Sequence, residues 1–291
     1  MIRSNRIGQT LQVVIKDLFP DASKSNVKKW ILQGRVKVNS KIVRQVQYIV
    51  KPDDKIEYSK SAFPDKIKKY PFHVFFEDRY LIIVEKSSGL LTYGEKESGG
   101  TSLYKIMSDF LKDQEHGREQ LYVVHRLDRE VSGIVLFAKT EKIQKKLKDQ
   151  WRQTCKRYFA LVEGEVRQRE GTVHNWLIEG NNLKVYSTSK REGAKMAITH
   201  FRVKEIREGN TLLDVELETG RKHQIRVHLS GMGHPIIGDY RYGANNRIKR
   251  RIRLHAYYFS FYHPITKQFM EFTSSMPRGL LVLGAEDEKY K

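Results

Sequence analysis

The chain has 291 residues, with 54 Lys plus Arg against 34 Asp plus Glu, a formal charge of +20 at pH 7. That length allows one large or two modest domains with a real core, and a cation excess this large points to a polyanionic partner. The single cysteine, Cys155, excludes an intrachain disulfide framework and a cysteine-rich zinc site.

The chain opens on MIRSNRIGQT, which lacks the apolar core of a signal peptide, and runs such as YLIIV at 80–84 are too short to cross a bilayer. A cytoplasmic protein with no membrane partner is expected. In RIGQTLQVVIKDLFP, Ile7, Leu11, Val14, Ile15 and Leu18 share one helical face, and Pro20 stops the helix. A second short helix is predicted over SKSNVKKWILQG, with Val27, Trp30 and Ile31 inward and Gly34 as the C-cap. RVKVNSKIVRQVQYIVKPDDKIEY then alternates around Asn39-Ser40 and Pro52-Asp53-Asp54 turns, the pattern of short strands. Lys24, Lys28, Lys29, Arg35, Lys37 and Lys41 cluster here. Two helices feeding strands, with GRVKVNSKIV at the junction, resemble the S4 RNA-binding domain. The resemblance covers about residues 4–59 and implies a domain over 1–60 whose cations contact RNA.

Residues 61–72, SAFPDKIKKYPF, carry two prolines and little periodicity and read as a linker. A second domain is expected over 73–285, with 286–291 as a frayed tail. Its texture is of many short strands, from HVFFED to HQIRVHLS. Two helices interrupt them, over 102–112 and over 140–154. Leu103, Ile106, Met107 and Phe110 face inward on the first; Thr140 caps the second, with Ile143, Leu147 and Trp151 inward.

The segment VVHRLDREVSG, 123–133, follows an apolar run. Read as a continuing strand, it puts Arg126 and Asp128 on one face and His125 and Leu127 on the other. Arg126 and Arg129 favour the ionised form of Asp128. Such an acid suits a nucleophile, a base or a salt-bridge partner better than a proton donor. LETGRKHQIRVHLSGMGHPIIGDYRYG, 217–243, also reads as a charged strand, with Ile225, Val227 and Leu229 alternating with Gln224, Arg226 and His228. On a strand, His223 and His228 would face opposite ways, the wrong arrangement for a shared metal. No metal and no cofactor are expected.

Four stretches in order, HRLDREVSGIVLFAK, KRYFALVEG, GRKHQIRVH and GHPIIGDYRYG, resemble the RluA/RluD-type pseudouridine synthases. The resemblance implies an α+β fold, with a mixed, largely antiparallel sheet behind the small S4-like domain. It implies isomerisation of uridine to pseudouridine in RNA. Asp128 would be the essential carboxylate, attacking the sugar or the uracil or deprotonating C2′. Arg226 would pair with it, and Tyr158 would stack on the uracil and assist proton removal from C5. Arg126 would fill the space left by the extruded base, and Ile225 would wall the pocket. His125, Arg221 and Gln224 complete the expected substrate-binding set. Ribosomal RNA is the favoured substrate, 23S in particular, with transfer RNA as the alternative, and the protein is expected to be a monomer. A non-catalytic ribosome-assembly factor would need a disrupted Asp128 or Tyr158. A hydrolase would need paired carboxylates or a metal. Two positions depart from the family pattern: Val131 replaces a usual threonine, and EKSSG at 85–89 replaces Lys-Pro-x-Gly.

Overall fold

Apolar spacing builds the first unit as the sequence predicts. Leu11, Val14 and Ile15 of α1 (Leu11–Leu18) and Val27 and Ile31 of α2 (Lys24–Leu32) are buried together. Ser23 caps α2, its hydroxyl accepting from the Asn26 N–H at 3.1 Å. Gly34, at φ +74°, takes the left-handed turn that ends the helix. A four-stranded sheet follows the order β1 (Ile2–Arg3), β4 (Lys55–Tyr58), β2 (Val36–Val38), β3 (Lys41–Ile42). Asn39 and Ser40 both sit at positive φ, the geometry a tight β2–β3 turn requires.

This computed structural model describes residues 2–3, 8–63, 70–94, 101–115, 120–245 and 251–281. The chain divides into two units, residues 1–69 and 70–291. Ile7 and the tail at 286–291 lie outside the described residues, as does 64–69 of the expected linker. Tyr70 and Phe72, at the end of that expected linker, instead pack with Phe110 in the second unit.

The second unit is a sheet of eleven strands among the described residues. Its path is β11 (Val185–Thr188), β10 (Glu170–Glu179), β12 (Lys195–Arg207), β13 (Asn210–Leu217), β9 (Cys155–Glu163), β14 (Leu254–Tyr262), β8 (Ser132–Ala138), β6 (Leu81–Lys86) and β5 (Val74–Glu77). β15 (Phe269–Thr273) pairs with β14, and β7 (Tyr122–Val123) with β8. The pairings are antiparallel except where β14 meets β8 in parallel, so the sheet is mixed and largely antiparallel, within an α+β fold. All seven residues of β8 are buried, as its apolar run predicts for a central strand. Gly133 is fixed by that crossing: it sits at φ +125°, and a Cβ there would lie 2.2 Å from the Ala256 carbonyl oxygen.

Among the described residues four α-helices accompany the sheet: α3 (Leu103–Glu115), α4 (Glu141–Asp149), α5 (Gln224–Gly231) and α6 (Arg278–Leu281). Thr140 caps α4 as expected, but the helix stops short of Trp151, which falls in a separate 3-10 turn. Two readings are corrected. HQIRVHLS is not a strand: Gln224 to Gly231 form α5, and every residue from 224 to 229 is buried. Burial all round removes the difference between a two-residue and a 3.6-residue period, so the apparent alternation carried no information. The strand entering the first charged segment also ends early. β7 stops at Val123, and residues 124–131 run on as a loop before β8.

Candidate active site

Two inward side chains set the sidedness of the 124–131 loop. His125 Nε2 accepts from the Leu136 N–H at 3.1 Å, and its ring stacks on Phe259 with centroids 5.3 Å apart. Burial holds its pKa down to about 3, reinforced by Lys156, so the ring is neutral. Leu127 is clamped by the buried Thr92: its N–H donates to Thr92 Oγ1 at 3.1 Å, and its carbonyl accepts from that hydroxyl at 2.8 Å. With 125 and 127 anchored, Arg126 and Asp128 are left facing out. The expected alternation is thus present, but clamps produce it and a strand does not.

The loop is held from below by the segment that departs from the family pattern. The Lys86 ammonium is fully buried and donates to three backbone carbonyls, Ser87 at 3.0 Å, Leu90 at 2.6 Å and Arg129 at 3.1 Å. Burial lowers its pKa to about 8, against the raising effect of Asp128 and Glu130. Ser88 Oγ donates to the Glu130 carbonyl at 2.6 Å. EKSSG therefore fixes the loop by side-chain bonds without a proline. Val131 needs no hydroxyl, since its side chain is buried in the core and its N–H bonds the Asp128 carbonyl at 3.2 Å.

Asp128 meets Arg226 across 98 positions of sequence, with Arg226 Nη1 donating to Asp128 Oδ2 at 3.1 Å. Arg226 rises from the first turn of α5 and is gripped by Asp239 through two bonds, Nε to Oδ2 at 2.7 Å and Nη2 to Oδ1 at 2.9 Å. This is a bidentate, nearly dry pair: the side chains are 5% and 1% exposed. Burial alone would lower the Arg226 pKa, but the bonds and charge of Asp239, then Asp128, hold it above its ordinary value. Its guanidinium also lies 5.1 Å from the ring centre of Tyr242. His223 Nε2 lies 3.7 Å from Asp128 Oδ2, and among the described residues no donor reaches Oδ1. The carboxylate thus has one oxygen committed and one open.

Asp128, His223 and Arg226 line a cavity of about 880 Å³ that also contains Tyr158, Ile225, Arg126 and Arg221. An adjoining cavity of about 500 Å³ shares Arg126, Asp128, Lys222, His223 and Arg226 and adds Arg129 and Arg241. Both fall in the size range of sites for organic ligands. Tyr158, on β9, is nearly buried, and burial followed by the charge of Asp128 pushes its pKa above the ordinary phenol value. It stays a phenol at neutral pH. Arg126 is exposed at the mouth. Arg221 is exposed at the rim, where its Nε donates to the Met196 carbonyl at 2.9 Å.

Gln224 does other work. Its Nε2 donates to the Ile198 carbonyl and Thr199 Oγ1, both at 2.9 Å, and its Oε1 accepts from Thr219 Oγ1 at 2.8 Å and the Arg221 N–H at 3.0 Å. Two of these bonds dock α5 onto β12 and two hold the turn that leads into α5, so Gln224 offers a substrate no unused polar group. His125 likewise spends one ring nitrogen on the backbone. Sequence reasoning did not single out Asp239, Lys86 or Tyr242. Asp239 and Tyr242 lie inside GDYRYG, whose glycines and acid were the available signal.

In the first unit, Lys24, Lys28, Lys29 and Lys41 are exposed. Arg35 is turned inward: its guanidinium lies 5.2 Å from Trp30 and 5.3 Å from Tyr58, and its Nη2 donates to Tyr58 Oη at 2.6 Å. Lys37 lies 4.2 Å over Phe63. Arg35 and Lys37 are half-buried, while the four lysines face solvent.

A family profile described as RNA pseudouridylate synthase matches residues 80–231, and an S4 domain profile matches residues 9–56. The uncharacterized RNA pseudouridine synthase YhcT of Bacillus subtilis (strain 168) is 32% identical over 287 residues, covering 95% of this chain and 93% of the relative. Ribosomal large subunit pseudouridine synthase D of Yersinia pestis is 30% identical over 317 residues, covering 100% of this chain and 95% of the relative. The solved structure of human RNA Pseudouridylate Synthase Domain Containing 4 shares the fold, with a TM-score of 0.60 at 23% identity over 72% of this chain and 90% of that one.

Proposed function

The chain belongs to the RNA pseudouridylate synthase family, and from that premise we propose that it modifies large-subunit ribosomal RNA with Asp128 as its catalytic carboxylate. The family's reaction is an isomerisation: the N1–C1′ bond of uridine breaks, the uracil turns, and C5 joins C1′. The proton leaving C5 is balanced by one gained at N1, and no atom is added. The observation that carries the assignment is the 3.1 Å contact between Arg226 Nη1 and Asp128 Oδ2 in a cavity shared with Tyr158.

In this reading Arg226 commits Oδ2 and aims Oδ1 at the nucleotide. Covalent attack and removal of the C2′ proton both use that same open oxygen. Tyr158 receives the uracil face. Ile225, 4% exposed, closes the apolar side. Extruding the uridine costs a few kcal/mol, and stacking returns about 1–3 kcal/mol of it. Arg126, exposed at the mouth, enters the vacated stack. The phenol of Tyr158, kept neutral by burial, acts through its ring and its hydroxyl rather than as a phenolate.

Large-subunit RNA is favoured by the full-length similarity to synthase D relatives and by the S4 match at residues 9–56. The test pairs purified protein with 23S ribosomal and transfer RNA transcripts and maps pseudouridines in cells lacking the protein. Asp128→Asn should abolish conversion and leave RNA affinity within several-fold. Turnover by that variant would overturn the catalytic assignment. Conversion confined to transfer RNA would overturn the substrate.

A further inference from the structure

We propose that Tyr242 locks His223 in its Nε2–H tautomer, making the neutral imidazole a second positioning donor aimed at the committed oxygen of Asp128. The assignment follows from hydrogen-bond accounting. Tyr242 Oη accepts from the Val185 backbone N–H at 3.0 Å and lies 2.8 Å from His223 Nδ1. A phenol has a single proton to give. Among the described residues no third partner reaches Tyr242 Oη, so its proton goes to Nδ1. Nδ1 must then be unprotonated, and the ring proton sits on Nε2. That nitrogen faces Asp128 Oδ2 at 3.7 Å. The separation exceeds a hydrogen bond, as catalytic contacts often do before substrate is bound.

The backbone commits to the same purpose. His223 sits at φ +55°, ψ +17°, a left-handed position, at the N-cap of α5. Histidine tolerates this region better than most side chains, and such outliers gather at functional sites. Tyr242 serves both partners of Asp128 at once. Its hydroxyl sets the His223 proton, and its ring face carries the Arg226 guanidinium at 5.1 Å.

An imidazolium would break the arrangement. Nδ1–H would donate to an oxygen already accepting from Val185, and the phenol proton would lose its acceptor. The charges around the ring act in the same direction. Burial lowers the His223 pKa, Asp128 opposes this, and Arg226, Lys222 and Arg241 reinforce it; Glu179 lies beyond Lys222. A neutral donor orients the carboxylate without the full positive charge that would blunt it as a base or nucleophile.

The proposal rests on the assignment of Asp128, and its test separates the two. Long-range proton–nitrogen spectra of the free, full-length protein with labelled histidine read the tautomer without any turnover, with His223→Gln assigning the signal. At neutral pH the His223 ring should carry its proton on Nε2, and Tyr242→Phe should move the signal toward a mixture of tautomers. An Nδ1–H ring or an imidazolium in the wild type overturns the proposal. In single-turnover assays, His223→Leu should slow conversion by about 10- to 100-fold, the worth of one donor to a charged acceptor, with RNA affinity unchanged. His223→Gln, whose amide N–H can replace Nε2–H, should recover most of that loss and remove one ionisation from the acid side of the rate profile. Full-speed conversion by His223→Leu, or a loss confined to RNA affinity, overturns the positioning role. Turnover by Asp128→Asn would overturn the catalytic assignment and leave the tautomer to be decided by the spectrum.

Discussion

Asp239 makes no contact with the proposed open oxygen of Asp128, yet the site should fail without it. In Asp239→Asn the Arg226 guanidinium keeps one acceptor and loses the charge of a partner only 1% exposed. Breaking a buried pair by removing one member typically costs about 3–5 kcal/mol. Asp128 at 3.1 Å and Glu130 at 3.8 Å remain as partly exposed counter-ions and the amide oxygen as an acceptor, so about 2–4 kcal/mol is expected here. For a unit of this size each kcal/mol shifts the midpoint by about 2–4 °C, which gives a fall of roughly 5–15 °C by calorimetry. Conversion should fall further than stability, because the freed guanidinium can rotate toward Asp128 and cover Oδ1. The double variant Asp239→Leu/Arg226→Met separates these effects: an apolar pair of similar volume should regain most of the melting temperature while remaining inactive. An Asp239→Asn midpoint within 1–2 °C of wild type (roughly the shift of half a kcal/mol) would refute the argument. So would an active double variant.

Lys86→Met should leave the Ser87 and Leu90 carbonyls beside the 124–131 loop without their donor, while the Arg129 carbonyl keeps the Gly89 N–H; at about 1–3 kcal/mol for each unsatisfied buried group, a cost of several kcal/mol is expected in chemical denaturation, with conversion falling more than RNA binding. A melt unchanged from wild type would mean the loop does not depend on that ammonium. Acid should destabilise the second unit through His125, His228 and His255, whose folded pKa values lie at about 3, 4 and 4, below the unfolded value of 6.5, because each is buried. Their contribution is complete above pH 6.5 and is lost as pH falls toward 4, since unfolding takes up protons in that window, at up to about 4 kcal/mol per pH unit for three rings. Melting temperatures that hold steady from pH 6.5 to 4.5 would contradict this. Replacing the exposed Lys24, Lys28 and Lys29 by alanine should flatten the salt dependence of RNA binding by about 2–3 in logarithmic slope if each meets a phosphate. An unchanged slope would remove the first unit from the interface.

What could be read in advance divides along physical lines. Local signals carried through: the Gly34 and Thr140 caps, the Asn39-Ser40 turn and the apolar β8 run are set by neighbours a few residues away. The Asp128–Arg226 contact was also foreseen, through ordered motifs and not through geometry. The 224–229 segment misled because packing on every side erases a helical stripe. Lys86 and Asp239 were invisible for a different reason. A buried charge is satisfied by partners far along the chain, and Lys86 reaches 43 residues to the Arg129 carbonyl. Arg35, read as an RNA contact, shows the converse: a cation that looks available in sequence can be spent on two aromatic rings of its own domain.

The parallel meeting of β8 and β14 has a consequence for biosynthesis. β14 is inserted between β9 on one side and β8 on the other, so it is the seam that joins the half of the sheet bearing Asp128 to the half bearing Arg226. Its residues, 254–262, leave the ribosome after the strands of both halves that it joins. Until they emerge, acid and guanidinium belong to separate, unsutured pieces, and a nascent chain stopped before residue 254 has no means of closing them into a working centre. The centre can therefore be closed only once β14 has been made.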